Sequence, residues 1–307
     1  MERRRVASSV ARAGRTRALA RGMAAEARRT PLAAPARALA TDAGGKRAVS
    51  GSSGIVTLLT DFGTRDPFVG VMKGVVLSVD RRLSVVDLTH EIEPQAIADA
   101  AFWLAQSFAW FPAGTVHVVV VDPGVGSARA GVVVRAHGHY FVGPDNGCFE
   151  LVVRRATSVE VRRIDGARVG LSEPSRTFHG RDVFAPVAAR IAASRLDFEA
   201  VGPPHELLVT ERLPEVVRDR EGTTGAVVVV DRFGNLVTNV PAAVLRPGAR
   251  LTLGDVTLEL VGAYAEVAVG AAGAVIGSCG TIEVFVRDGS ASALFGAKRG
   301  APVRVSA

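Results

Sequence analysis

The chain has 307 residues, 48% of them hydrophobic and 22% charged, which suits a soluble globular protein with room for two domains. Its net charge of +7 is concentrated: residues 1–50 carry twelve Arg or Lys against three acids, and the remainder carries 25 bases against 27 acids. A near-neutral body excludes a basic face for nucleic acid. No apolar run is long enough for a membrane-spanning helix, and two isolated cysteines, Cys148 and Cys279, exclude a disulfide framework.

In chain order, residues 1–50 come first, rich in Arg, Ala and Ser and poor in large apolar residues. They are expected as a disordered or targeting-like extension. The composition fits an organellar transit peptide, and equally an over-extended start in a GC-rich gene, since only three of the 37 bases are Lys. The expected location is cytoplasmic, with an organelle as the alternative if the extension is a transit peptide.

From Gly54 onward, apolar runs alternate with helical patterns. Ile55 to Thr60 reads as a strand and ends at Asp61-Phe62-Gly63; Ser84-Val85-Val86 leads into Asp87-Leu88-Thr89-His90. Pro94 to Phe108 places Ile97, Ala100, Ala101, Leu104 and Phe108 on one helical stripe. Val116 to Val121 holds five Val in six positions, the signature of a strand buried on both faces, and stops at Asp122-Pro123-Gly124. His137 and His139 flank Gly138 in an apparent hairpin, and Tyr140-Phe141-Val142 ends at Gly143-Pro144-Asp145-Asn146-Gly147. Asp182 to Ala193 repeats the helical spacing. This alternation predicts an α/β domain over residues 54–205, its mostly parallel sheet flanked by helices. Pro203-Pro204 and a charged stretch mark a linker over 206–223. Short strands with Gly, Pro and Asp turns then predict a smaller all-β domain over 224–307.

The apolar runs share one feature: each breaks at an Asp, at Asp61, Asp87, Asp122, Asp145 and Asp231, with Gly or Pro within three positions of all but Asp87. Any one can be a turn-forming Asx, the better reading for Asp87 and Asp145. Five together point to several acids converging on one polar ligand at the carboxyl edge of a sheet. Arg129, seven residues beyond Asp122, and His179, at the loop-to-helix start of Thr177-Phe178-His179-Gly180-Arg181-Asp182, complete an acid–base set. No Cys-x-x-Cys, His-Glu-x-x-His or calcium loop occurs, so no metal is expected. Gly124-Val125-Gly126 lacks the remaining residues of a phosphate or dinucleotide loop.

Six motifs in order carry a family resemblance: Thr57-Leu58-Leu59-Thr60-Asp61-Phe62-Gly63, Val71-Met72-Lys73-Gly74, Val121-Asp122-Pro123-Gly124-Val125-Gly126, Pro144-Asp145-Asn146-Gly147, Phe178-His179-Gly180-Arg181-Asp182-Val183-Phe184-Ala185-Pro186 and Asp231-Arg232-Phe233-Gly234-Asn235. Across about residues 54–307 the chain resembles the S-adenosylmethionine hydrolases, or hydroxide adenosyltransferases, relatives of the fluorinase and chlorinase. The resemblance implies an α/β domain followed by a β-rich one, and a homotrimer with sites between subunits. It implies that water or hydroxide attacks ribose C5′ of S-adenosylmethionine, giving adenosine and methionine without a cofactor. Asp122, Arg129 and His179 match the family's catalytic trio. Asp61 matches the carboxylate on the ribose diol, Asp66 and Asp231 residues near the methionine end, Ser278 a hydroxyl contact there, and Asn235 an adenine contact. Tyr264 falls where an aromatic lies on the adenine. Related halogenases carry Tyr at the position of Asp122, and the fluorinase carries Ser at that of Gly180. A carboxylate at 122 repels halide and suits water, so hydrolysis is expected ahead of halogenation. The remaining alternative is a nucleoside-binding protein with residual activity.

Overall fold

The computed structural model describes residues 51–207, 214–246 and 248–306. The expected extension over residues 1–50, and residues 208–213 of the expected linker, lie outside the described residues.

β1 (Ile55–Thr60), β2 (Ser84–Thr89), β3 (Val116–Val120), β4 (Gly131–Ala136), β5 (His139–Pro144) and β6 (Val159–Arg163) form one six-stranded sheet in the order β2-β1-β3-β5-β4-β6. β3 sits inside it with all five residues buried, as its unbroken Val run requires. The sheet is mixed rather than mostly parallel. β2–β1, β1–β3 and β3–β5 pair parallel, whereas β5–β4 and β4–β6 pair antiparallel. The cause is the turn at His137 (φ 52°) and Gly138 (φ 77°), a two-residue connection that can only return the chain antiparallel.

Helices α1 (Phe68–Val79) and α4 (Ala185–Ala192) cover one face; α2 (Ile97–Ser107) and α3 (Glu150–Arg154) cover the other. α2 is buried nearly all round, through Ala98, Ala100, Ala101, Phe102, Leu104 and Ala105. Its sequence gave one apolar stripe; its many small side chains also let Val228, Val229 and Val237 of the second domain join the same core. That domain holds β7 (Val217–Arg218), β8 (Gly222–Val230), β9 (Leu236–Pro241), β10 (Arg250–Leu253), β11 (Val256–Val261), β12 (Ala272–Ile276), β13 (Thr281–Val286), the short α5 (Ala291–Phe295) and β14 (Pro302–Ser306). Seven strands close in the ring β14-β10-β11-β12-β13-β9-β8, with β7 appended to β8. Closure leaves few unpaired edges, which is how a chain of short strands avoids aggregation.

At the opposite end of the first sheet from its acids lies a buried histidine pair. His117 Nδ1 is 2.8 Å from Thr57 Oγ1, and its Nε2 is 3.2 Å from His139 Nδ1. Phe108, Phe111 and Phe141 enclose them. Burial lowers both imidazole pKa values, that of His139 to about 4. The unfolded chain therefore binds more protons than the folded one once pH drops below the ordinary imidazole range, so stability falls with falling pH. The expected slope is about 1.4 kcal/mol per pH unit per histidine. For His139 the loss levels off near pH 4. Urea unfolding at stepped pH checks this: wild type loses stability steeply below the imidazole range, and His139→Gln flattens the dependence.

Candidate active site

Strand order places the site. From β1 the chain crosses outward to β2, then returns to the other side of β1 as β3, so the carboxyl ends of β1 and β3 border a switch point. Thr60 pairs with Val120 in register, and Asp61 and the Asp122 loop follow directly. A cleft of about 490 Å³ opens there, lined on its polar side by Asp61, Asp122, Thr177 and His179 and on its apolar side by Phe62, Phe68 and Phe178.

The loop after β3 turns tightly enough to bring Arg129 back onto Asp122. Gly126 makes this possible: its φ is 76°, and a side chain there would strike the Arg176 carbonyl. Arg129 then grips Asp122 with two parallel hydrogen bonds, Nε to Oδ1 at 2.7 Å and Nη2 to Oδ2. Both side chains are almost fully buried, at 10% and 5% exposure. The guanidinium also lies over the Phe184 ring at 5.3 Å. Such a bidentate, part-desolvated pair holds one fixed geometry.

His179 enters from the other wall. It precedes a wide π-helical turn over Gly180–Phe184 that runs into α4. Pro186 supplies a physical cause: it has no N–H to give and its ring crowds the preceding turn, which the wider turn relieves. His179 Nδ1 stands 2.9 Å from Arg129 Nη2. Because arginine can only donate, Nδ1 must accept, and the neutral ring carries its proton on Nε2. Burial and the neighbouring Arg129 charge push the His179 pKa down, against the opposing pull of Asp122 and Asp182.

Of the five turn acids expected to converge, Asp61 and Asp122 line the cleft and three do not. Asp87 pairs with Lys73. Asp145 is buried behind the Asp122 loop, 2.8 Å from His205 Nε2. Asp231 spends its carboxylate on its own turn, accepting the N–H groups of Phe233 and Asn235 at 2.9 and 2.8 Å and the Asn235 amide at 2.9 Å. The reason is chain geometry: Asp87 lies within β2 rather than beyond it, Asp145 follows β5 into the interior, and Asp231 belongs to the barrel.

The remaining candidates are dispersed within one chain. Asp66 is exposed before α1, and Ser278 is exposed on the β12–β13 turn. The Tyr264 hydroxyl donates to Glu283, and its ring meets Phe285 edge-on at 4.8 Å. Burial raises the Glu283 pKa and Asp231 adds to this, while the Tyr264 hydrogen bond opposes it. Asp231, Asn235, Tyr264 and Ser278 thus belong to the barrel, and no barrel residue lines the cleft. Sequence reading missed Glu283, which sits in the fully buried strand β13, and Gln95. The latter has φ 67° and donates its backbone N–H to Asp61 Oδ2 at 2.8 Å. It also missed the aromatic trio Phe62–Phe68–Phe178, with centroids 5.5–5.9 Å apart and Phe178 edge-on to both other rings. Two of those rings lay inside recognised motifs, so a signal was present. Among the described residues no group of three or more His, Cys, Asp or Glu is gathered as a metal site, and no helix is long and apolar enough to cross a membrane.

A carboxylate clamped by arginine, beside an imidazole at a switch-point cleft, is an arrangement able to orient and deprotonate a small nucleophile. Family comparison makes this specific. Residues 56–202 match the SAM hydroxide adenosyltransferase N-terminal domain and residues 225–304 the corresponding C-terminal domain. The chain belongs to the SAM hydroxide adenosyltransferase family. It is 40% identical over 257 residues to the (R)-S-adenosyl-L-methionine hydrolase of Thermus thermophilus, covering 81% of this chain and 98% of that protein. A fluorinase of Nocardia brasiliensis is more distant, at 28% identity over 62% of this chain and 72% of its own. Among solved structures, an uncharacterized conserved protein from Thermotoga maritima superposes with a TM-score of 0.77 at 32% identity, covering 82% of this chain and all of that one.

Proposed function

We propose that the protein hydrolyses S-adenosyl-L-methionine to adenosine and L-methionine, and that its substrate is the (R) sulfonium epimer named for its Thermus thermophilus relative. The observation that carries this reading is that Asp122 and His179, joined through Arg129, line the same cleft as Asp61. The water oxygen bonds to C5′, the C5′–S bond breaks with its electron pair passing to sulfur, and methionine leaves as a neutral thioether. The water proton passes to the Asp122 side of the cluster and on to solvent. Nothing in these steps calls for a metal or cofactor.

The chemistry assigns distinct roles. Asp122 orients the water and takes its proton. Arg129 balances the Asp122 charge and fixes the His179 tautomer. His179 donates from Nε2 to the attacking oxygen or a neighbouring water, since its Nδ1 is engaged with Arg129. Asp61 accepts from both ribose hydroxyls. Acids lining the cleft also suit a cationic sulfonium and disfavour halide, which supports hydrolysis over halogenation.

The protein acts, in this reading, as a homotrimer whose sites lie between subunits, each cleft receiving Asp231, Asn235, Ser278 and Tyr264 from a neighbour. Two features support it: the barrel residues do not line their own chain's cleft, and Phe233 beside Asp231 is 76% exposed.

The test is chromatography of products after incubating purified protein with the (R) and (S) epimers, with and without chloride or fluoride. Adenosine and methionine from the (R) epimer, unaffected by halide, is the expected result. No adenosine from either epimer overturns the reading, and a 5′-halo-5′-deoxyadenosine product would favour the halogenase alternative. A pH series adds a second check: kcat/KM falls as pH drops below the ordinary imidazole range, because a protonated His179 would set cation against Arg129.

A further inference from the structure

Lys73, Asp87 and His90 stood out in the sequence, yet the reaction above gives them no task. In the fold they form a line leading to the turn that carries Asp61. Lys73 Nζ on α1 donates to Asp87 Oδ2 on β2 at 2.6 Å. His90 Nε2 lies 3.0 Å from Asp87 Oδ1, off the straight line of an ideal hydrogen bond. His90 Nδ1 is 2.9 Å from the Thr60 hydroxyl at the end of β1. Thr60 Oγ1 in turn accepts the Phe62 N–H at 3.2 Å, and the His90 carbonyl accepts the Gly63 N–H at 2.8 Å.

Donor and acceptor rules give this line one direction. A carboxylate only accepts, so His90 carries its proton on Nε2, facing Asp87. In the neutral ring Nδ1 then accepts from Thr60, whose hydroxyl hydrogen is thereby committed and whose oxygen is left to receive Phe62. Burial alone would raise the Asp87 pKa, but hydrogen bonds from Lys73 and His90 outweigh it and hold the carboxyl below its usual range. Thr60 is fully buried and His90 nearly so, so neither hydroxyl nor ring has solvent to turn toward. The two bonds bracket Asp61, pinning the turn on its far side at Phe62 and Gly63, while Gln95 N–H takes one carboxylate oxygen.

We propose that Thr60 and His90, braced by Asp87 and Lys73, are positioning residues for Asp61, presetting its carboxylate to receive the ribose hydroxyls. This rests on the function proposed above. A fixed carboxylate spares the complex the ordering that a mobile turn would need, so the effect belongs to binding and to recognition of the diol.

The experiment compares wild type, Thr60→Val and Thr60→Ser on the substrate and on its analogue lacking the ribose 3′-hydroxyl. Valine keeps the shape and removes the hydroxyl; serine keeps the hydroxyl. Thr60→Val is expected to raise KM about tenfold with kcat within about twofold, and to lose most of the discrimination against the analogue, while Thr60→Ser restores both. Asp87→Asn, on a side chain 41% exposed, guards against a Thr60→Val that fails to fold. It is expected to raise KM about threefold, and an unchanged KM there counts against the proposal. Active wild type with an indifferent Thr60→Val, or with Val and Ser impaired alike in kcat and thermal stability, overturns the positioning role alone. Wild type that releases no adenosine overturns the proposed function, and the positioning role falls with it.

Discussion

Asp122→Asn is expected to lower kcat by about a thousandfold, the middle of the range for a positioned proton acceptor, and His179→Gln by about tenfold or less. The asymmetry follows from the contacts. An asparagine at 122 loses the charge and turns an N–H₂ toward an Arg129 nitrogen that can only donate, so the bidentate grip at Nε and Nη2 breaks. His179 has Nδ1 committed as an acceptor and so works through the N–H at Nε2. A glutamine amide can supply such a donor; His179→Ala cannot, and is expected to fall well below His179→Gln. Quantifying adenosine release from the three variants tests this. Equal losses for Gln and Ala would mean that the imidazole takes the proton itself, through an Nδ1 freed from Arg129.

Mixing two inactive proteins should restore activity. Asp122→Asn disables the cleft and leaves the barrel residues intact; Asp231→Ala disables the barrel contribution and leaves the cleft intact. If each site draws on two chains of a homotrimer, subunits dissociated and reassembled at a one-to-one ratio give about a quarter of sites with both parts intact, and about that share of wild-type activity. Sites contained within one chain give none. The effect is large because the background is nearly zero. Light scattering on the same samples reports whether the assembly is the expected trimer. Asp231→Ala carries its own control, because this carboxylate also ties its turn through Phe233 and Asn235; the thermal midpoint of the variant separates a damaged turn from a missing contact.

Much of the first domain was legible in advance because burial leaves a local mark. The Val116–Val121 run could only be an interior strand, and β3 is fully buried. Gly and Pro after it signalled where the chain would leave the sheet. What misled was the count of parallel strands. The hairpin at His137-Gly138 was readable, yet its consequence is global: one tight turn reverses a strand and converts the sheet to a mixed one. α2 was likewise read as a one-faced helix, because nothing in its own sequence announces that a second domain will cover its outer side.

The sequence by itself determined which residues are candidates for the chemistry, since carboxylate, guanidinium and imidazole are properties of residue type and their motifs lie in short unbroken stretches. It also placed Asp122 and Arg129 on the loop where the Val116–Val121 run breaks, and His179 at a loop-to-helix junction. Only the tertiary structure decided which acids share a cleft. Asp61 and Asp122 lie side by side because β1 and β3 are neighbours, though 60 residues separate Thr60 from Val120. It alone decided the proton's place on His179, since a tautomer is set by the partner across space, here an arginine fifty positions away that cannot accept a hydrogen bond. Short-range pattern fixes what a residue can do; long-range contact selects which of those things it does.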